Sequence, residues 1–253
     1  MKSIIGSACC TLCLLAASIA VATDAPEEAI ASRPASQQEY WAEADRKDWS
    51  AAIVAAQALV GEARRDAQTQ PLDLVRTLSM LGTAQMHNAD LAGAESSFTE
   101  ALSLAERIEG AASRHTLDPL RGLGFTLASG GRHQEALPYL DRALLISHRT
   151  HGLFHIEQQA ILRQLASSLT LSGQPLVAER HVNYMLQVGQ HAYGEDDPRL
   201  VPLMCAVGDW HAEVGNFDDA RRLYRDGARL VEDKLGKNDI AIVRPLRRLA
   251  ASF

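Results

Sequence analysis

The chain has 253 residues, of which 47% are hydrophobic and 22% charged, and its formal net charge is −6 at pH 7. This acidity argues against a general nucleic-acid binder, because neutralising a phosphate backbone needs clustered lysine and arginine side chains. A net negative charge mainly favours solubility.

Residues 1–22 have the pattern of a secretory signal peptide. Lys2 gives a positive start, residues 4–20 carry no charge and are mostly apolar, and the small residues Ala20 and Ala22 occupy positions −3 and −1 of a cleavage site. We therefore expect cleavage after Ala22 and an exported protein, periplasmic or secreted. The alternative is a retained membrane anchor, since the apolar run is close to the minimum length of a bilayer span.

Three of the four cysteines, Cys9, Cys10 and Cys13, lie inside this leader. Their C-x-x-C spacing therefore does not indicate redox or zinc chemistry in the mature chain. After cleavage Cys205 is the remaining cysteine, which excludes an intrachain disulfide. An exported protein of this kind must obtain its stability from packing.

The remainder of the chain divides into a short linker and a long helical region. Residues 23–36 contain two prolines, several alanines and small polar residues without a sustained apolar period, which is typical of a flexible linker. From residue 37 to residue 253, apolar residues recur at intervals of three and four, the spacing of one helical face. The alternation of a half-buried strand is not found, so we predict an all-α fold.

An alanine recurs at one fixed interval through this helical region. Each of these alanines follows a polar or glycine-containing turn and precedes an apolar residue four positions later. The interval predicts five stacked repeats, in place of one globular catalytic core. The five alanines, each 42 positions from the next, are Ala52, Ala94, Ala136, Ala178 and Ala220.

A second turn inside each unit predicts two helices, here called helix A and helix B. In the second unit we place helix A at about 74–88 and helix B at about 92–107; in the third, at about 119–129 and 135–148. Gly131, Gly173 and Gly215 interrupt three successive units at the same place, as expected where a helix ends in a left-handed cap. After Asp239 the register predicts one further helix A, which we interpret as a solvating C-terminal cap.

The residues at equivalent positions resemble the tetratricopeptide repeat family, in its kinesin-light-chain-like variety with a longer repeat. The second unit carries the signature in full, as Leu81-Gly82, Ala94, Phe98 and Ala101, and the next three units follow it. In the first unit Tyr40 and Ala56 replace the usual small and aromatic residues. The resemblance implies a right-handed α-solenoid of stacked helix-turn-helix hairpins, in which the additional length extends helix B and the loop that follows it.

The resemblance also implies a concave groove lined by the A helices, which would bind a protein or an extended peptide. Arg121 and Arg163 lie at the same place in consecutive units, and guanidinium groups can bind peptide carboxylates in a bidentate manner. The alternative is that these arginines are solvated, or pair with Asp118 and Glu157. The expected groove residues are Arg76, Ser79, Thr83, Arg121, Phe125, Arg163, Ser167, Asp209 and Arg247, with Thr170, Cys205 and Arg244 nearby.

Chemistry of other kinds has weaker support in the sequence. His148, His151 and His155 could hold zinc or copper if their loop folded back, and otherwise form a solvated helix end. Nucleophile-elbow, phosphate-loop, zinc-protease and dinucleotide-binding motifs are absent from the sequence. We therefore predict a non-catalytic interaction scaffold of the cell envelope, without a cofactor, nucleic acid or stable membrane insertion. The alternatives are a self-assembling structural protein, or a metal-binding or enzymatic helical-repeat protein.

Overall fold

The computed structural model describes residues 35–253. The predicted signal peptide and residues 23–34 of the predicted linker lie outside the described residues. Helix α1 is Ala35–Arg46, so residues 35 and 36 of the predicted linker are helical. Within the described residues the fold is all-α, as predicted, and no strand is present.

Five helix hairpins and one further helix follow one another along the described chain. Each A helix packs on the B helix of its own hairpin and on the neighbouring hairpin. Short 3₁₀ turns, at Arg114–Thr116, Pro198–Leu200 and Ile240–Ile242, precede three of the A helices. The helices are α1 Ala35–Arg46, α2 Trp49–Arg65, α3 Pro71–His87, α4 Leu91–Glu109, α5 Leu117–Ser129, α6 His133–His151, α7 Gln158–Leu171, α8 Pro175–Tyr193, α9 Val201–Glu213, α10 Phe217–Leu235 and α11 Val243–Ala251.

The helix boundaries confirm that a longer helix B accounts for the long repeat. The B helices α4, α6, α8 and α10 each contain 19 residues, whereas the A helices α5, α7 and α9 contain 13 or 14. In the second hairpin, helix A begins three residues before its predicted start and ends one residue before its predicted end, and helix B extends one residue earlier and two residues later than predicted. Asp90 caps α4, since its carboxylate accepts a hydrogen bond from the Gly93 amide at 3.0 Å.

The five periodic alanines occupy one equivalent environment, because every one of them is fully buried. Small residues on helix A leave room for a large side chain of helix B. This large residue lies four positions after the periodic alanine. A Cβ atom added at Gly124 would lie 2.5 Å from Leu140, and one added at Gly208 would lie 2.6 Å from Tyr224. Such close approach leaves no room for a side chain at these two positions.

The first hairpin reverses this arrangement of large and small residues. Tyr40 lies on helix A at the position that is glycine in the second, third and fifth hairpins, and Ala56 lies on helix B at the position of the large residue. Both are buried in one apolar cluster. The Tyr40 hydroxyl donates a hydrogen bond to the Met80 carbonyl at 3.1 Å, and burial raises the pKa of Tyr40 to about 12.

Glycines with a positive φ end helices at regular intervals. The position after helix A is Gly131, Gly173 and Gly215 in the third to fifth hairpins. At the equivalent position of the second hairpin, Ala89 has a φ of 62°. A left-handed conformation is unfavourable for a residue with a Cβ atom, so Ala89 is a strained helix end.

We expect Ala89→Gly to raise the free energy of unfolding by about 0.5–1 kcal/mol, because relief of left-handed strain exceeds the entropy that glycine adds to the unfolded chain. Gly131→Ala, in open surroundings, should lower it by a similar amount. Urea unfolding followed by circular dichroism measures both changes. If the two substitutions shifted stability in the same direction, the backbone explanation would be wrong.

Helix α11 covers the last hairpin, but its outer surface is not entirely polar. Leu249 and Ile242 pack against the fifth hairpin, whereas Val243 is 56% exposed and Leu246 is 45% exposed. The predicted cap therefore leaves an apolar strip uncovered. In the part of the chain that the structure describes, no helix combines the length and hydropathy that crossing a bilayer requires.

Candidate binding groove

Most of the predicted groove residues fall into two rows that run across successive A helices. We call the surface formed by these rows, together with Arg76 and Arg244, the helix-A face. Residues one repeat apart share a row because they occupy equivalent places in their hairpins. Trp41 of the first hairpin joins the second row, since it precedes Thr83 by one repeat. The first row is Ser79, Arg121, Arg163, Cys205 and Arg247, and the second is Trp41, Thr83, Phe125, Ser167 and Asp209.

Some of these side chains offer nothing to a partner. Ser79 is buried and its hydroxyl donates to the Val75 carbonyl, while the Thr83 hydroxyl donates to the Ser79 carbonyl. Cys205 is fully buried. Residues on the groove side of an A helix thus lie beneath the surface wherever a neighbouring helix crosses closely. The expected contributions of Ser79 and Cys205 to the helix-A face are corrected accordingly.

The arginines of the helix-A face differ in whether an acid neutralises them. Arg76 forms an ion pair with Asp73 at 3.0 Å. Arg121 pairs with Asp118, also at 3.0 Å, as the alternative interpretation of the sequence allowed. Both pairs are exposed and join residues three apart on one helix, so each contributes little to stability. These guanidinium groups can exchange their present carboxylate for that of a binding partner with little loss of free energy.

Arg163 has no acidic partner within ion-pair distance among the described residues, and the expected alternative acid, Glu157, approaches His155 instead. Burial lowers the pKa of the Arg163 guanidinium, and the positive charge of Arg244 lowers it further. The two arginines lie on α7 and α11, almost two repeats apart in the sequence. The fold therefore brings two like charges near enough to act on one another, and neither has an acid within ion-pair distance among the described residues.

Asp209 is already engaged at the C-terminal end of the same face. Its carboxylate accepts a hydrogen bond from the Tyr224 hydroxyl at 2.8 Å and forms an ion pair with Arg248 at 3.0 Å. Burial raises the pKa of Glu213, and the neighbouring charge of Asp209 acts in the same direction. Asp209 fixes Tyr224 and Arg248 in place, so its role is structural in the free protein.

In the row beside Arg121 and Arg163, two neighbouring hairpins carry uncharged side chains, which suits an extended chain. Phe125 is half-buried against the core, and Ser167 is exposed. The Trp210 indole donates a hydrogen bond to the Thr170 hydroxyl at 2.9 Å and so joins α9 to α7. Arg248 and Tyr224 also contribute to the site through Asp209, although neither was predicted as a groove residue.

The predicted histidine group is only partly assembled as expected. His148 leaves the group and lies beside Tyr184, whose hydroxyl is 3.3 Å from the His148 Nε2 atom. His151 and His155 do approach one another, and they are joined by Glu157, a residue the sequence analysis did not include as a ligand. The loop between α6 and α7 folds back, which was the condition set for metal binding.

Comparison with known proteins gives a consistent picture. Residues 73–147 and 115–183 match the family model described as Tetratricopeptide repeat. The structure of BtubC (BKLC) from P. vanneervenii is 21% identical, with a TM-score of 0.64, and the alignment covers 87% of this chain and 84% of that one. A putative kinesin light chain repeat protein of Podosopora anserina is 14% identical, with a TM-score of 0.70 and coverage of 79% and 94%.

A third similar structure is a Rap protein complexed with Competence and Sporulation Factor. It is 14% identical, with a TM-score of 0.60, and the alignment covers 86% of this chain and 63% of that chain. Among curated proteins, none matches this sequence significantly. At these identities the solved structures establish a shared fold of stacked helix hairpins.

Proposed function

Because this chain is a tetratricopeptide repeat protein, we propose that it is a non-catalytic scaffold that binds an extended segment of a protein partner on its helix-A face. The matching family model is described as a tetratricopeptide repeat, which is a binding fold and names no catalytic activity. Hairpins that are already packed lose little conformational entropy when a peptide enters the groove, so preorganisation supplies the mechanism.

The observation that carries this proposal is the pair of guanidinium groups at Arg163 and Arg244. Each lacks an acidic partner among the described residues, and they repel one another. An anionic group bound to either guanidinium would reduce the repulsion and gain charge-assisted hydrogen bonds. The partner segment is therefore acidic, with a carboxylate against these arginines and uncharged residues along Phe125 and Ser167.

Two further considerations support the proposal. A Rap protein of the same fold forms a complex with Competence and Sporulation Factor, so this arrangement of hairpins is compatible with a bound factor. The leader at residues 1–22 favours export, and we propose that the scaffold works in the cell envelope after cleavage behind Ala22. The proposed location rests on the leader sequence alone.

Charge reversal on the helix-A face tests this function. We expect Arg163→Glu combined with Arg244→Glu to reduce partner capture at least about tenfold, because two attractive contacts become repulsive. The measurement is crosslinking of C-terminally tagged chains in their native cells, followed by quantitative mass spectrometry. The mass of the recovered chain also shows whether residues 1–22 have been removed.

The matched control changes the same charge on the B helices. Arg180→Glu combined with Arg225→Glu alters two exposed arginines of α8 and α10, and it should leave capture unchanged. Circular dichroism must show equal helicity in all three proteins. Retention of the same partners by the Arg163 and Arg244 double variant would exclude the helix-A face as the binding surface.

A further inference from the structure

Three positions recur in the loops that join one hairpin to the next, and their side chains meet in each case. The first position lies in the last turn of helix B or at its end, and the other two lie four and six residues later. In the loops after α4, α6 and α8 this spacing gives three equivalent trios. They are Glu109, Ser113 and His115; His151, His155 and Glu157; and Tyr193, Asp197 and Arg199.

In the loop after α4 the trio is internally satisfied. The Glu109 carboxylate accepts a hydrogen bond from the Ser113 hydroxyl and lies 2.7 Å from the His115 Nδ1 atom. The Ser113 hydroxyl oxygen also accepts a hydrogen bond from the His115 amide at 3.0 Å, which caps the 3₁₀ turn. Each side chain of this trio thus has a hydrogen-bond partner within the trio.

The trio in the loop after α8 is satisfied by different residues. Asp197 takes the capping position and accepts a hydrogen bond from the Arg199 amide at 2.8 Å. The Arg199 guanidinium forms an ion pair with the same carboxylate at 2.8 Å and lies over the Tyr193 ring, 4.5 Å from its centre. The middle position is again a capping residue with a bonded side chain.

The loop after α6 departs from this pattern at its middle residue. His155 replaces the capping serine or aspartate, and the loop lacks the 3₁₀ turn found at the other two positions. The Nδ1 atom of His155 is buried and has no hydrogen-bond partner. A buried polar atom without a partner is unfavourable unless something binds it.

The groups around this atom are those that a transition-metal ion requires. The His155 Nδ1 atom lies 3.8 Å from the Glu157 Oε2 atom, and the His151 and His155 rings stack with centres 4.8 Å apart. One potential ligand atom from each of the three residues lies within 4.8 Å of the others. Donor atoms of a tetrahedral zinc site are separated by about 3.4 Å, given bonds of about 2.0–2.2 Å.

Contacts outside the trio hold the loop in this folded-back shape. The Phe154 ring stacks on His191 of α8, with ring centres 3.8 Å apart. The Tyr184 hydroxyl donates a hydrogen bond to the Leu153 carbonyl, and the Gln158 amide donates one to the Gly152 carbonyl at 2.7 Å. His155 is therefore positioned before any ligand arrives, while His151 and Glu157 are exposed and can rotate toward it.

We propose that His151, His155 and Glu157 form a site for a single divalent transition-metal ion of the zinc class. Two imidazoles and one carboxylate suit Zn²⁺, and three protein ligands leave a fourth coordination position for water or for a group from a partner. The site lies in the loop between α6 and α7 and does not depend on the helix-A face. Experiments on partner binding at the helix-A face and on metal binding in this loop can thus succeed or fail separately.

Zinc titration of the metal-free full chain, produced without a histidine tag, tests the site by calorimetry. The informative variant is His155→Ser, because it restores the capping residue that the loop after α4 carries and should fold as stably as the original. We expect this variant to bind one zinc ion fewer per chain. Cysteines elsewhere in the chain are common to both proteins, so their contribution cancels in the comparison.

Two companion variants complete the experiment. Glu157→Gln, which removes a ligand charge, should weaken zinc binding at least about tenfold. His115→Ala, which removes the histidine of the equivalent trio after α4, should leave it unchanged. Zinc should raise the melting temperature of the original chain and leave that of His155→Ser unchanged, since a ligand of the folded state stabilises it.

The results that would overturn the site are equally definite. Equal zinc stoichiometry in the original chain and in His155→Ser would exclude it, as would an affinity weaker than about 1 mM, which is too weak for a specific site. Equal loss of binding in His115→Ala and Glu157→Gln would show that zinc binds scattered surface histidines. Competition by Mg²⁺ at equal concentration would exclude a nitrogen-ligated site, because Mg²⁺ prefers oxygen ligands.

Discussion

Phe98→Ala is expected to lower the free energy of unfolding by about 3–5 kcal/mol. Phe98 is 1% exposed and lies on helix B of the second hairpin. A Cβ atom added at Gly82 would lie 2.9 Å from its ring, and one added at Gly122 would lie 2.3 Å from it. The ring is therefore wedged between the A helices of two successive hairpins.

The two glycines place the expected loss at the upper end of this range. Neither has a side chain that could move into the space left by the ring, so the cavity would remain largely open. In a stack where each hairpin contacts mainly its neighbours, loss of one interface also weakens the cooperation between the two parts of the chain. Urea unfolding followed by circular dichroism would show both a lower midpoint and a broader transition.

Phe253→Ala is the matched control for this substitution. It makes the same chemical change at a residue that is 88% exposed and contacts Arg221 at the end of the chain. The expected loss there is less than about 1 kcal/mol. Equal effects of the two substitutions would mean that Phe98 does not join the second and third hairpins.

Native Cys205 should react with iodoacetamide at pH 8 more than about 100-fold more slowly than in the urea-unfolded chain. The residue is fully buried on α9, and burial raises the pKa of its thiol to about 11. The ordinary thiol pKa is about 9, so the reactive thiolate fraction at pH 8 falls about 100-fold, and steric exclusion slows the reaction further. Mass spectrometry of the peptide containing Cys205 measures the rate.

Ser167→Cys provides an exposed thiol for comparison. Ser167 lies on α7 in the second row of the helix-A face and reaches solvent, so its cysteine variant should label at nearly the unfolded rate. Labelling of native Cys205 within about tenfold of this variant would mean that the fifth hairpin opens frequently. Such an outcome would contradict rigid packing of α9 between its neighbours.

The periodic small residues made the fold predictable from the sequence. Ala136 and Gly124 permit close helix crossing at one place in the hairpin, and the same requirement recurs in each repeat, so a single pattern specifies every interface. Helix ends were predictable for a related reason, because Gly131 and Gly173 mark left-handed caps. The exchange of a large and a small residue between Tyr40 and Ala56 could not be predicted from the sequence. Only their burial in one cluster shows that the two changes compensate.

The candidate site was less predictable, because its properties depend on partners far apart in the sequence. Arg121 and Arg163 are equivalent in register, yet Asp118 pairs with the first and no acid pairs with the second among the described residues. Long side chains select partners by reach and local geometry, and the repeat register does not encode that choice. Glu157 could not be predicted as a ligand of the proposed metal site, because only the conformation of the loop brings it close to His151 and His155.

The sequence by itself determined the repeat, its length and the all-α fold. Those features follow from backbone spacing, and any chain with this periodic pattern must satisfy them in the same way. Only the tertiary structure decided that Cys205 is buried, that Arg163 approaches Arg244, and that His155 has a buried nitrogen without a partner. These outcomes depend on non-periodic side chains from separate helices, whose proximity arises only when the hairpins stack.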